Sequence, residues 1–432
     1  MTDLFAARSQ MAISLAFHIV FAAVGIAMPV LMVIAEWRWR RTGDEVYLDL
    51  AKRWARGSAI LFAVGAMSGT VLSFELGLLW PEFMRYAGPL IGMPFSLEGF
   101  AFFTEAIFLG IYLYGWKRIS PARHMLAGVA VAVSGVVSGI FVVMANSWMN
   151  TPAGFRLVDG VPVDIDPFVA MLNPGSFSQT LHMSIAAYAA TGIAVAGIHA
   201  FMLRRDPANV FHRHAMSIAL FVAVPAMIVQ PVSGDLSARF VAQWQPVKLA
   251  SLEGQFQTQQ GAPLRIGGIP DMDSRQTRYA VEIPRGLSFL AFHDPNATVK
   301  GLNSVNRTDW PHVPTVHIAF QIMVGLGIYM ALLGVWVTVA ALRTRSGIFT
   351  DRRLLGAIAV AAPMGFAAIE AGWTVTEVGR QPWIIQGVMR TADAVTPMPA
   401  LVIPFAVFSL LYLMLGVVVT VLLYRHIVKS PI

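Results

Sequence analysis

Several ionisable side chains stand inside stretches of sequence that are otherwise apolar: His18, Glu98, Glu105, His182, His199, His317, Glu370 and Glu377. An ionisable group in hydrocarbon is costly, so each is a candidate for chemistry. Glu98 and Glu105 are seven residues apart, almost two helical turns, which puts both carboxylates on one face roughly 10 Å apart along the axis. Bridged by water, they could relay protons. Bonded to neighbouring helices, they would only hold a bundle together. A histidine opposed by a methionine fills both axial positions of a haem iron and suits electron transfer. His182 and Met323, a few residues into a later apolar run, could form such a pair. His18, in Ala16-Phe17-His18-Ile19, has no polar neighbour in sequence. It could ligate iron or make a hydrogen bond between helices. The stretch Gly372-Trp373-Thr374-Val375-Thr376-Glu377-Val378-Gly379-Arg380-Gln381-Pro382-Trp383 sets a carboxylate three residues before an arginine. That is either a local ion pair ahead of a helix-ending proline, or a carboxylate ligand with a guanidinium for an anionic group such as a haem propionate.

The elements that must position these groups are long apolar runs. Of 432 residues, 56% are hydrophobic and only 13% charged, too little charge to cover a soluble protein of this size. Runs of about 20 apolar residues match a bilayer core of about 30 Å. The pattern predicts an all-α integral membrane bundle of about nine spans, roughly at 11–35, 57–80, 95–116, 124–148, 179–203, 215–232, 314–342, 354–377 and 398–424. Residues 1–10 are polar and the first run is full length, so it reads as a retained helix and not a cleaved leader. The connections alternate. One set is basic: Arg38, Arg40, Arg41, Lys52, Arg53 and Arg56; Lys117, Arg118 and Arg123; Arg204, Arg205 and Arg213; Arg343, Arg345, Arg352 and Arg353; Arg425 and Lys429. The positive-inside rule makes these cytoplasmic, with the N-terminus outside and the C-terminus in the cytoplasm.

The chain thus divides into helices one to six (1–232), a long outer loop (233–313) and helices seven to nine (314–432). The loop is rich in Gly, Pro, Gln and charge and shows no clear domain. The net charge of +7 belongs to the short basic connections and does not indicate nucleic acid. No cysteine is present, which excludes disulfides, cysteine-ligated iron–sulfur clusters and c-type haem attachment. No internal repeat of the transporter kind is visible.

The run Glu377-Val378-Gly379-Arg380-Gln381-Pro382-Trp383, preceded by Gly372-Trp373, resembles the signature of subunit I of the cytochrome bd-type quinol oxidases. Ala16-Phe17-His18, Phe95 to Glu105, Ala145-Asn146-Ser147-Trp148-Met149, Gly234-Asp235 and Gln245-Pro246-Val247-Lys248-Leu249-Ala250 resemble family segments in the same order, so the resemblance runs through essentially the whole chain. It implies two haems b and one haem d, the latter replaceable by haem b. It implies that His182 and Met323 ligate the low-spin haem b, Glu377 the high-spin haem b, and His18 the oxygen-binding haem, with Glu98 near its iron. Glu105 would lie on the proton route, Arg380 and Trp373 would line the haem cluster, and Lys248 and Glu253 would form the quinol site. The resemblance further implies quinol oxidation at the outer face and reduction of dioxygen to water with cytoplasmic protons, without pumping. It implies a second membrane subunit, small single-span accessory subunits and a place in the bacterial cytoplasmic (inner) membrane. The outer loop resembles the family's short form. Two departures bear on this. Gln321 stands where some members carry an arginine two residues before the ligating methionine, a position the resemblance ties to haem potential. Others have one more residue between the two glutamates than separates Glu98 from Glu105.

The rival from another class is a proton-coupled secondary transporter using the buried carboxylates; it would show no haem absorption. A haem–copper oxidase needs more intramembrane histidines. A dihaem quinol-oxidising cytochrome b needs paired histidines on two helices, whereas His182 and His199 have no such partner pair.

Overall fold

The computed structural model describes residues 1–344 and 347–427; Arg345 and Lys429, both counted among the basic connections, lie outside the described residues. Among the described residues, nine segments are long and apolar enough to cross a membrane. The helices are α1 (Asp3–Thr42), α2 (Glu45–Leu79), α3 (Pro81–Tyr114), α4 (Pro121–Asn150), α5 (Pro167–Met171), α6 (Ser176–Leu203), α7 (Val210–Trp244), α8 (Pro246–Leu252), α9 (Gly286–Phe292), α10 (Val313–Arg343), α11 (Arg352–Ala361), α12 (Met364–Val378), α13 (Thr391–Ala394) and α14 (Val402–Ile427). Their ends follow local chemistry. Thr2 caps α1 by accepting from the Phe5 amide, and Gly43 closes it at φ 69°, a left-handed conformation glycine adopts without a Cβ clash. Asp44 then caps α2, and Asp351 caps α11. The eighth span is two helices, α11 and α12, parted at Ala362-Pro363, where proline cannot continue the hydrogen-bond ladder.

The helices are longer than the apolar runs. The third span, expected from 95, begins at Pro81 and takes Pro89 and Pro94 into the helix. The sixth, expected to stop at 232, runs on to Trp244, and an Asp235–Arg239 ion pair at 2.7 Å supports the extra turns. The segment between the sixth and seventh spans therefore starts at Gln245, not at 233. Hydropathy reports the apolar stretch alone, and a helix can project beyond it.

Successive spans pack as neighbours, α1 on α2, α3 on α4 and α6 on α7, with α10 and the α11–α12 span closing on α6 and α7. At the basic end, Leu31, Leu50, Ile193, Met216, Leu354 and Ile358 join α1, α2, α6, α7 and α11 into one core. At the opposite end Trp80, Phe83, Leu90, Trp148 and Ile385 form a second. The segment from Gln245 to His312, unassigned in sequence, is folded. Short antiparallel strand pairs, among them Leu264–Ile266 with Val281–Ile283, lie beside α8 and α9. Leu249, Ala262, Leu287 and Val299 give this segment its own small core.

Candidate functional site

His18 on α1 and His182 on α6 are held in the same way. His18 Nδ1 lies 2.9 Å from Ser68 Oγ of α2, and His182 Nδ1 lies 3.0 Å from Ser233 Oγ of α7. Both partners are serines bonded back to their own helix, Ser68 to the Val64 carbonyl at 2.9 Å and Ser233 to the Gln230 carbonyl at 2.8 Å. A glycine follows each serine. A methyl built on Gly69 would sit 3.0 Å from His18 Cε1, and one on Gly234 would sit 3.5 Å from His182 Cε1. Gln230 Nε2 lies 3.2 Å from each His182 ring nitrogen. A donor equidistant from both nitrogens lies across the ring and off the in-plane lone-pair axis of either. Met323 on α10 also faces a glycine: a methyl on Gly372 of α12 would approach its sulfur to 3.1 Å.

Glu377, at the end of α12, is engaged at both oxygens. Oε1 accepts from Asn146 Nδ2 of α4 and Oε2 from Arg380 Nη2, each at 2.7 Å. Arg380 is 2% exposed, yet its Nε and Nη1 have no partner among the described residues. A buried guanidinium with donors to spare suits an anionic group. Asn150, one turn beyond Asn146 and bonded back to its carbonyl, accepts from Lys248 Nζ of α8. The polar chain Lys248–Asn150–Asn146–Glu377–Arg380 therefore joins two groups that sequence treats separately, the loop lysine and the carboxylate–arginine pair. Trp373 is half-buried on α12.

Lys248 and Glu253 are not solvated loop charges; they are 7% and 4% exposed. Burial pulls the Lys248 ammonium down to about 7, with the Arg380 charge acting in the same direction and Glu377 opposing. Burial pushes the Glu253 carboxyl up to about 7 against the pull of Arg265, and its Oε2 has no partner. The segment carrying them is pinned to α10. His317 faces the Leu252 carbonyl at 2.7 Å and the Gly267 carbonyl at 3.1 Å. Gln321, one turn on, accepts from the Gly267 amide at 2.9 Å and donates to the Arg265 carbonyl at 3.1 Å. The residue read in sequence as a redox-tuning departure thus clamps backbone of the outer segment.

On α3, Glu98 accepts from Ser138 Oγ at 3.0 Å. Glu105 is buried against Gly25 and Gly135 and lines a cavity of about 20 Å³ with Pro29, Ser58 and Leu109. That is room for about one water. Sequence reasoning passed over Glu75 of α2, 3% exposed, which accepts from Gln10 Nε2 at 3.0 Å and Ser14 Oγ at 2.8 Å while its Oε2 has no partner. A glutamate five residues from the end of an apolar run was its only sequence signal.

The family profile described as "Cytochrome bd terminal oxidase subunit I" matches residues 6–431. The chain belongs to this family. It is 35% identical, over all of its length and 98% of the relative, to a putative cytochrome bd menaquinol oxidase subunit I of Bacillus subtilis (strain 168). With a cytochrome bd ubiquinol oxidase subunit 1 of the same organism it shares 30% identity over 100% of this chain and 94% of that one. Among solved structures, the bd oxidase from Geobacillus thermodenitrificans superposes with a TM-score of 0.93 at 36% identity, covering 99% of each chain.

As a bd oxidase subunit I, the chain is an oxidoreductase, one subunit of a terminal oxidase, and a multi-pass protein of the bacterial cytoplasmic (inner) membrane. The transporter alternative is not favoured. Cytochromes of this family contain haem, and the residues here fit one. Both histidines have Nδ1 on a serine hydroxyl, the contact to His182 Nε2 comes from across the ring, glycines allow close approach beside His18 and Met323, and buried Arg380 holds donors without a partner among the described residues. Ser68, Ser233 and Asn150 had no signal that could have singled them out in sequence. Asn146 lay inside a segment already noted for its resemblance. No hydrogen bond joins Lys248 to Glu253 among the described residues, so the expected pair is two separate buried groups, not one contact.

Proposed function

We propose that this subunit carries the haems and oxidises the quinol of an electrogenic terminal oxidase that builds a proton-motive force without pumping. The reading is carried by one observation: two half-buried histidines inside the bundle, His18 and His182, each tied at Nδ1 so that Nε2 is left for iron. His182 and Met323 would hold a low-spin haem b, and Glu377 a high-spin haem b. His18 would hold the oxygen-binding haem, a haem d or a haem b in its place, with Glu98 beside the high-spin pair. Arg380 would bind a propionate oxygen through a single donor, Nη1, and Trp373 would line the cluster. When bound, the haems supply one-electron carriers and an iron with an open position for dioxygen.

The residues of the outer segment handle the quinol. Glu253, with a free Oε2 and a carboxyl near 7, is suited to take a hydroxyl proton at neutral pH. Lys248, buried as a cation beside Asn150, would hydrogen-bond the other quinol oxygen. Protons for water formation would enter from the cytoplasmic side through Glu105 and Glu98, and the cavity beside Glu105 has room for about one water on that route. The basic connections orient the chain, N-terminus outside and C-terminus cytoplasmic. In this reading residues 1–232 and 314–432 supply ligands and proton route, and the segment between them the quinol site.

The partners are a second membrane subunit, small single-span accessory subunits, quinol and dioxygen. A pyridine haemochrome assay of the purified complex tests the core of the proposal. Three haems, at least two of them haem b, are expected; a complex without haem refutes it.

A further inference from the structure

We propose that Ser68 and Ser233 are positioning residues that lock the tautomers of His18 and His182, so that each imidazole presents Nε2 to a haem iron. This rests on the reading that those histidines are axial ligands.

A serine hydroxyl has one proton and two lone pairs. Ser68 directs its proton to its own helix, 2.9 Å from the Val64 carbonyl and 3.1 Å from that of Gly65. Ser233 does the same, 2.8 Å from the Gln230 carbonyl. Only lone pairs remain toward the histidines, at 2.9 Å for His18 and 3.0 Å for His182. The ring nitrogen facing each serine must therefore be the donor. A neutral imidazole has one N–H; with that hydrogen on Nδ1, the lone pair lies on Nε2, the form that binds a metal. At Gly69 the missing side chain allows the ring to come close: a methyl there would press to 3.0 Å of His18 Cε1, whereas at Gly234 it would lie at an ordinary 3.5 Å from His182.

The same device occurs twice. A histidine on one helix faces a Ser-Gly step on the next, 50 residues on in α1–α2 and 51 residues on in α6–α7. Accidental packing gives no reason for the hydroxyl and its direction to recur together. Met323 faces a glycine without a serine, as fits a thioether with no tautomer to set.

A hydrogen bond to the far N–H makes a histidine ligand more basic and binds the metal more firmly, and such partners are typically worth 10–100-fold in metal affinity. The more basic ligand favours ferric over ferrous iron. A tenfold loss of that preference raises a one-electron midpoint potential by about 59 mV. The test uses the intact complex and potentiometric titration followed in the haem bands. Ser233→Ala should raise the low-spin midpoint by about that much and leave the other haems in place; Ser68→Ala should act on the oxygen-binding haem alone. Ser→Thr at either site, keeping the hydroxyl, should restore the potential. Where an alanine variant does not assemble, Ser→Cys keeps the size with a poor acceptor and should show the same rise. Unchanged midpoints in the alanine or cysteine variants, with each haem still lost in His18→Ala and His182→Ala, would overturn the lock and leave the ligand assignment standing. Full haem spectra in both histidine variants would overturn the ligand assignment, and the lock with it.

Discussion

In the proposed quinol site, the pH dependence of quinol oxidation would be set by two buried groups outside the spans. Glu253 must be ionised to accept a proton, and Lys248 must be charged to donate a hydrogen bond to the quinol. Burial pushes the carboxyl up to about 7 and pulls the ammonium down to about 7. The signs are opposite. Below neutral pH the carboxylate is lost; above it the ammonium is lost. With both values at 7, the fraction carrying both charges peaks there and falls about 25-fold by two pH units on either side. Steady-state quinol oxidation should therefore trace a narrow bell centred near neutrality. Oxygen uptake driven by an artificial donor that reduces the haems directly should not follow it. Glu253→Gln should remove the acidic limb. Lys248→Met, which keeps the length of the side chain, should remove the alkaline limb. Losing one charge-assisted contact costs about 1.5–3 kcal/mol, so each variant should also lose about ten- to a hundredfold in quinol kcat/KM. Haem bands should stay, because Glu377 keeps both Arg380 and Asn146. Equal losses with quinol and artificial donor would refute the reasoning, since the outer segment would then be structural. A flat profile would refute the assignment of the two charges.

His182→Ala or Met323→Leu should remove the low-spin haem signal from reduced-minus-oxidised spectra, and an unchanged signal in both would place the ligands elsewhere. Gly372→Ala drives a methyl to 3.1 Å of the Met323 sulfur, so it should shift the low-spin band or potential without removing the haem. Gln321→Ala removes two bonds to the backbone at Arg265 and Gly267, about 1–3 kcal/mol together; quinol KM should rise and limited proteolysis near those residues should quicken, while haem content stays constant. In mild detergent the chain should purify with a second membrane subunit of similar size, and a fully active preparation of this chain alone would count against that partner.

The sequence alone determined the number of spans, their alternating basic connections and the ionisable groups within them. Each is a property of a contiguous segment: apolar length, local charge and a costly side chain add up residue by residue along one helix. The family, too, was legible, because its motifs are short local strings such as Glu377 to Trp383. Helix ends were less so, because α3 begins 14 residues before its expected start and carries two prolines that hydropathy reads as a break. Only the tertiary structure decided what each functional group touches. Glu377 meets Asn146 across 231 residues of sequence, Lys248 meets Asn150 across 98, and the two histidines meet their serines across 50 and 51. Serine and asparagine are common and carry no periodicity of their own. Their roles come from the rotation and depth of one helix against another, which side-chain packing sets over the whole bundle. For the same reason the burial of Lys248 and Glu253 cannot be read in sequence; it comes from α8 packing on α7 and α10 and from the bonds His317 and Gln321 make to the backbone of the same segment.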